Sequence, residues 1–417
     1  KEYVILTAKI NSLNLSNKKK KKMSYQHFGK IPQKRHTVFK SPEDQFYYEQ
    51  LFGTEGFHGI SSLLYHIHRP TQIKSISEPK DVSPKVAVAK NVTPRMFKGM
   101  NISPENDFLD SRKVLLFNND LKLGLAKPKK STDYFYKNAE CDELLFIHEG
   151  SGTLKTFLGN LDFSYGDYLI IPRGTIYSIE FKNENNILLF IESHSPINTP
   201  KRYRNEFGQM LEHAPFCERD MIAPTFVAPI DEKGDFLIKV KKEDQIWDFI
   251  YATHPFDVVG WDGYFYPYKF NIKNFEPITG RVHLPPPIHQ NFEAHNFVVC
   301  SFVARMYDYH PLAIPAPYNH SNIDSDEVLF YTEGDFMSRN HIDLMDFTLH
   351  PGGIVHGPHP GAMERSIGKK STEEFAVMVD PFKPFKITDE AMKVEDPSYK
   401  TSWLENEDNY LEDRSQE

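Results

Sequence analysis

The feature that most constrains this chain is a passage it writes twice. Residues 142–150 read Asp-Glu-Leu-Leu-Phe-Ile-His-Glu-Gly, and residues 326–334 read Asp-Glu-Val-Leu-Phe-Tyr-Thr-Glu-Gly. Downstream of each lies a second shared frame: a strand, then Pro-x-Gly, then a residue three places on. The first copy reads Gly166-Asp-Tyr-Leu-Ile-Ile-Pro172-Arg-Gly174-Thr-Ile-Tyr177, and the second reads Leu349-His350-Pro351-Gly-Gly353-Ile-Val-His356. Self-similarity of this kind means that one supersecondary unit is used more than once. Strand side chains alternate between faces, so residues two apart share a face. Each copy therefore predicts two antiparallel strands with other strands between them, and a Pro-Gly turn that aims its last residue inward.

A Glu followed seven residues later by a Gly, and then Pro-x-Gly-x-x-His, resembles the cupin pattern. Two copies predict a mainly β chain, a bicupin-like double β-barrel or sandwich with a few short helices. A short barrel of this kind encloses a cavity able to hold a ligand or a metal. Helices are expected at Pro42 to Leu51 and at Thr388 to Val394. The expected division is a basic arm over 1–22, a β domain with a degenerate repeat over 23–275, a metal-bearing domain over 276–395, and an acidic tail over 396–417. The run Lys18 to Lys22 precedes Met23, so the arm reads as an extension outside the fold, with a natural start at Met23. It lacks the pattern of a transit or signal peptide. The tail is assigned no chemistry.

The copies differ where chemistry would sit. The second carries His320, Glu327 and His356, whereas the first keeps Glu143 but has Tyr136 and Tyr177 in place of the two histidines. Neutral phenols are poor ligands for a divalent first-row metal, so the first copy reads as structural. Two imidazoles and a carboxylate on one face of an ion leave other positions open, which suits ferrous iron binding both a substrate and dioxygen. The same set tolerates Mn, Co, Ni or Zn. A lone histidine is most often an ordinary core or surface residue; it is the repeated frame that lifts this set above that. Asp324 and Asp326 compete as the carboxylate but read better as turn residues. His359 reads as a loop residue.

Composition narrows the rest. The 32 Phe, 21 Tyr, 29 Pro and 22 Gly favour strands and turns over long helices. A net charge of −8 argues against nucleic-acid binding, which needs a basic surface. The apolar stretch Phe297 to Ala304 is too short to cross a bilayer. Cys141, Cys217 and Cys300 are odd in number and form no CxxC, which favours a reducing, cytoplasmic setting.

Longer passages resemble the homogentisate 1,2-dioxygenase family, the iron enzymes of tyrosine and phenylalanine breakdown. They are Gly56 through Tyr65, Pro255-Phe-Asp-Val-Val-Gly-Trp261, Tyr266 through Asn271, Pro317-Tyr318-Asn-His320, and His350 through Pro358. The resemblance implies Fe(2+) on His320, Glu327 and His356, with His283 as the acid–base group and His289 as its rival. It implies a substrate pocket touched by His350, Tyr318, His356 and the residue at position 336, here Phe336; Arg339, three residues on, is placed to supply a cation to a substrate carboxylate. It further implies ring opening of homogentisate to maleylacetoacetate with dioxygen, in a homo-oligomer, trimer or hexamer. Three departures stand out. The stretch from His320 to Glu327 is one residue longer than in the animal enzymes. Phe336 replaces a usual tyrosine, and Asp262 a common histidine. The alternatives are a dioxygenase for a related hydroxylated aromatic acid, a non-catalytic metal-binding cupin, and a zinc-dependent isomerase.

Overall fold

The two copies pair their strands in the same register. The strand Asp142–Glu149 lies antiparallel to Asp167–Ile171 and sets Glu143 opposite Ile171. The strand Glu327–Glu333 lies antiparallel to Asp346–His350 and sets Glu327 opposite His350. On its other side Glu143 faces Glu192 of Ile187–Ser193. Val328 faces Val379 of Phe375–Pro381, which brings Asp380 into register beside Glu327. The expected antiparallel pair is thus met at the level of individual partners; strands between the two members occur in the first copy, Gly152–Thr156 and Gly159–Phe163, but not among the described residues of the second. A computed structural model of the chain describes residues 25–334, 336 and 338–404. The arm expected over 1–22 and residues 405–417 of the tail lie outside the described residues.

Each repeat builds a seven-stranded sheet. The first sheet carries Asp142–Glu149 near its centre and the second carries Glu327–Glu333. Alternation along these strands sends one set of side chains to a shared core between the two sheets. Leu144, Phe146, Tyr168 and Ile170 from the first meet Val328, Phe330, Phe347 and Val377 from the second in one buried cluster. Tyr168 and Ser301 hydrogen-bond across it at 2.9 Å. Glu143 and Glu327, one residue out of phase with this set, therefore face away from the shared layer. The face bearing Glu143 is closed by a third sheet of eight strands, over a second core holding Tyr136, Leu145, Ile171, Tyr177 and Phe190. Among the described residues the face bearing Glu327 has no such sheet. Across it lie the ribbon of Arg305–Met306 and Ser371–Thr372 and the loops between 278 and 326.

The expected double β-barrel is not what the chain forms. Among the described residues no sheet closes on itself: each runs from one edge strand to another, as from Tyr268–Asn271 to Lys386–Ile387, whose strands do not pair. Large apolar side chains on both faces of the first sheet explain this, since it must be covered on each side by another layer. The chain is mainly β, and its two α-helices among the described residues are only Ala362–Ser366 and Asp389–Met392. The second meets the expectation over Thr388 to Val394, with the Thr388 side chain accepting from the Ala391 N–H as an N-cap. The helix expected over Pro42 to Leu51 is absent; the strand Tyr48–Gly53 occupies its second half because Tyr48 to Gly53 pairs with Ser61 to His66. Two segments cross between the halves. Arg95–Lys98 joins the second repeat's sheet beside Asp346–His350, and Lys386–Ile387 joins the first repeat's sheet beside Arg112–Phe117. Among the described residues no helix is long and apolar enough to cross a membrane.

Candidate metal centre

A two-residue β-bridge brings the distant histidines together. His320 and His356 exchange backbone hydrogen bonds of 2.8 and 2.9 Å, which sets their side chains on the same face. The His320 Nδ1 lies 3.0 Å from the Tyr318 carbonyl, and the His356 Nδ1 lies 3.0 Å from the Ile354 carbonyl. A carbonyl only accepts, so each Nδ1 carries the proton and each Nε2 keeps its lone pair. Both Nε2 atoms point at the same carboxylate. His320 Nε2 is 3.5 Å from Glu327 Oε2, and His356 Nε2 is 3.7 Å from Glu327 Oε1. The His356 Nε2 is buried with no hydrogen-bond partner. One donor atom from each of the three residues falls within 4.8 Å of the others. Two lone pairs and a carboxylate converging in this way want a cation between them, and the hard-plus-borderline donor set fits a divalent first-row ion such as ferrous iron. Among the described residues, this is the group arranged to hold one.

The chain's relatives can now be set beside this geometry. The family model described as homogentisate 1,2-dioxygenase N-terminal matches residues 21–272, more than half of the chain. This chain belongs to that family. A protein of Saccharolobus solfataricus named as a putative dioxygenase is 41% identical over 384 residues, covering 91% of this chain and 98% of its own length. The homogentisate 1,2-dioxygenase of Bradyrhizobium diazoefficiens is 26% identical over 277 residues, 62% of this chain and 60% of its own. That of Nitrobacter hamburgensis is 29% identical over 153 residues, 36% of this chain and 32% of its own. Among solved structures, a cupin 2 conserved barrel domain protein from Leptotrichia buccalis covers 72% of this chain at 12% identity and a TM-score of 0.31, too loose an overlap to bear on the site. The chain is a dioxygenase-like member of the family with a site able to bind a metal.

Within this family member, Glu327 is held by more than the two histidines. His350 Nδ1 lies 2.8 Å from Glu327 Oε1, while its Nε2 faces the Tyr399 hydroxyl at 3.2 Å. Burial pushes the His350 pKa down to about 4, so the ring is neutral and carries one proton. It donates that proton to Glu327 and accepts from Tyr399. With both nitrogens engaged, His350 stands behind the carboxylate and is not a ligand. Its ring lies parallel to His356, with centroids 4.7 Å apart. Burial works against the charge of Glu327, but the donors around it, the His350 Nδ1–H among them, hold its carboxyl well below the usual range. Asp326 is not a rival: its carboxylate is occupied by the N–H groups of Gly352 and Phe385 and by Asn91.

A cavity of about 160 Å³ opens in front of His320 and Glu327. Phe336 and Arg339 line it, as do both His283 and His289. Phe336 is buried with its ring edge-on to Tyr331 at 4.5 Å. Arg339 is also buried. It donates to the Gly357 carbonyl at 2.7 Å and lies 3.9 Å from Glu327, and its Nε has no partner. His283 is half-exposed at the mouth, with Nδ1 3.5 Å from Asp308 and its ring 5.1 Å from Tyr318. His289 is deeper, packed on Phe302 at 4.7 Å, and burial holds its pKa well below the ordinary value. Tyr318 lies outside this cavity, on an adjoining groove shared with His283. Neither His350 nor His356 is among the cavity-lining residues.

The first repeat shows why its site is closed. Tyr136 and Tyr177 are strand partners with their rings edge-on at 5.4 Å, where the second repeat has the bridged pair His320 and His356 with rings 4.3 Å apart. Glu143 accepts from the Tyr177 hydroxyl at 2.8 Å and from Arg112 at 2.8 Å. A guanidinium stands in for the ion. Sequence reading missed Arg112 on Glu143, Asp380 beside Glu327, Tyr399 on His350, and Trp403, whose indole N–H donates to the Gly357 carbonyl next to His356. Of these, Tyr399 and Trp403 left a signal: large aromatic side chains in a segment otherwise read as a solvated tail.

Proposed function

We propose that this chain opens the aromatic ring of homogentisate to maleylacetoacetate, with ferrous iron held by His320, Glu327 and His356. What carries this reading is the convergence of two imidazole lone pairs on one carboxylate, with His320 and Glu327 of that group lining a cavity of about 160 Å³, in a member of this family. Ferrous iron held by these three residues would supply the Lewis acidity and the dioxygen chemistry. The residues supply the rest. Leu329, Tyr331, Phe336 and Met378 offer an apolar wall for the ring. Arg339, with its unpartnered Nε, offers a cation to the substrate carboxylate. The Nδ1 of His283 faces Asp308, which leaves its Nε2 to take the phenol proton. Loops between 278 and 326 form part of the cavity wall and help to orient what it holds.

Phe336 favours a second reading, a related hydroxylated aromatic acid. It presents hydrocarbon where a tyrosine would offer a hydroxyl, and a pocket's hydrogen-bonding groups strongly govern discrimination. The test is anaerobic loading with ferrous iron, then oxygen uptake on a panel of aromatic acids. One dioxygen consumed per homogentisate, with a ring-opened product, is the expected result. No uptake with homogentisate on fully loaded protein overturns the substrate; no metal binding overturns the whole reading.

A further inference from the structure

The last described turn of the chain, Tyr399–Leu404, packs behind the metal centre and touches it at several points. The Tyr399 hydroxyl meets His350 Nε2 at 3.2 Å, and His350 Nδ1 meets Glu327 Oε1 at 2.8 Å. The Trp403 indole N–H donates to the Gly357 carbonyl at 3.1 Å, one residue after His356. Arg339 donates to that same carbonyl at 2.7 Å. His359 Nδ1 accepts from the Asn340 N–H, so its Nε2–H donates to the Ser402 hydroxyl at 2.6 Å. The His359 ring lies flat on Trp403, with centroids 4.1 Å apart. Two of the three metal-facing residues are thus tied to one turn that lies more than forty residues beyond them.

We propose that Tyr399, acting through His350, is a positioning residue of the metal centre: it turns the Glu327 carboxylate into its ion-facing pose. Tyr399 is 2% exposed; because His350 Nδ1 faces a carboxylate, which only accepts, Nε2 carries the lone pair and the Tyr399 hydroxyl is the donor there. A donor on Nε2 forces the neutral His350 ring to carry its proton on Nδ1. That proton holds Glu327 Oε1, which leaves Oε2 on the side of His320. Without Tyr399 either tautomer of His350 is available, and in one of them Nδ1 presents a lone pair to the carboxylate and repels it. Groups that orient a metal ligand in this way commonly set affinity by about 10–100-fold. The role given to Tyr399 rests on the metal-centre reading above.

The test is equilibrium titration with cobalt(II) alone, read by its visible absorption and by metal content after gel filtration. Wild-type protein is expected to bind one cobalt per chain. Tyr399→Phe, which removes a single oxygen, should weaken binding about tenfold or more and alter the absorption envelope. His350→Asn supplies the decisive background. Its side-chain N–H2 can still donate to Glu327 but no longer reaches Tyr399, so adding Tyr399→Phe there should change affinity by less than about threefold. Trp403→Phe, which loses the bond to Gly357, is the second variant and should also weaken binding, with apo melting temperatures as the folding control. No loss in Tyr399→Phe, or the same loss in both backgrounds, overturns the relay and leaves the metal centre standing. A wild-type protein that binds no cobalt overturns the metal centre, and the relay with it.

Discussion

Arg112 grips Glu143 at 2.8 Å in the strand position that Glu327 takes in the second repeat. The same guanidinium reaches Glu192 at 3.0 Å, the counterpart of Asp380. All three are buried. The first repeat carries its cation covalently, and the second leaves room for one. Arg112→Met should therefore cost about 3–5 kcal/mol of stability, because it strands two buried carboxylates. Urea denaturation of both proteins measures it. A difference under about 1 kcal/mol would show that the pair is not held by the arginine.

Glu192 gives this cluster a pH signature. Burial works against its charge, yet Arg112, Lys241 and Lys122 hold its carboxyl down to about 2. Its folded value lies below its unfolded value of about 4.3, so its contribution is fully present above that and fades as pH falls toward 2. Burial shifts Glu143 the other way, so the wild-type profile alone mixes two opposite slopes. Comparison with Glu192→Gln isolates one of them. The stability gap between the two proteins should shrink as pH drops from about 6 to about 3. A gap that stays constant over this range would sink the assignment.

Only the second repeat should take metal. Reconstitution with ferrous iron under anaerobic conditions should give about one ion per chain, because the first site is filled by Arg112. His320→Ala or His356→Ala should abolish retention of the ion and leave the strand pairing intact. A variant that still carries a full complement of iron removes that histidine from the ligand set.

The repeat was legible because strand register is a local property, and Asp-Glu-strand-Glu-Gly encodes it twice. The triad followed from the same frame, since His320 and Glu327 lie close in sequence and the Pro351-Gly turn carries His356 back to them. What the sequence hid was long-range. Barrel closure depends on how strands at opposite edges meet, and here outward-facing residues such as Leu145, Ile171 and Phe190 demand another sheet instead. The helix expected from Pro42 lost to pairing with Ser61–His66, which no short window contains. Arg112, thirty-one residues before Glu143, and Tyr399, forty-nine after His350, become partners only once the layers are stacked.

The choice between His283 and His289 is open to kinetics. His289 is buried, packed on Phe302 and held neutral, which suits a wall; His283 is half-exposed beside Asp308, which suits proton exchange. His283→Ala should load iron and bind the aromatic acid but lose about 10²–10⁴-fold in kcat, the usual range for removing an acid–base group. His289→Ala should act mainly on stability. The reverse pattern would exchange the two roles, and a change confined to KM would make His283 a positioning group.

Phe336 lies edge-on to Tyr331 in the cavity wall, within the same lining as Arg339 and Glu374. Phe336→Tyr adds one hydroxyl at the end of a buried ring. In the free protein that hydroxyl either finds a partner in the cavity or costs about 1–3 kcal/mol for lying unsatisfied. A phenolic acid in the cavity would give it one. If homogentisate is the natural substrate and another donor already serves it, the change in kcat/KM should stay within about tenfold, roughly 1.4 kcal/mol. If the pocket has been shaped for a different aromatic acid, the added hydroxyl should shift the ratio of kcat/KM toward homogentisate, because hydrogen-bonding sites discriminate more sharply than apolar ones. Oxygen uptake with both acids, on both proteins loaded to the same iron content, separates the outcomes. A large loss on homogentisate with no gain elsewhere would mean that Phe336 is needed as packing against Tyr331, and it would take Phe336 out of the account of specificity.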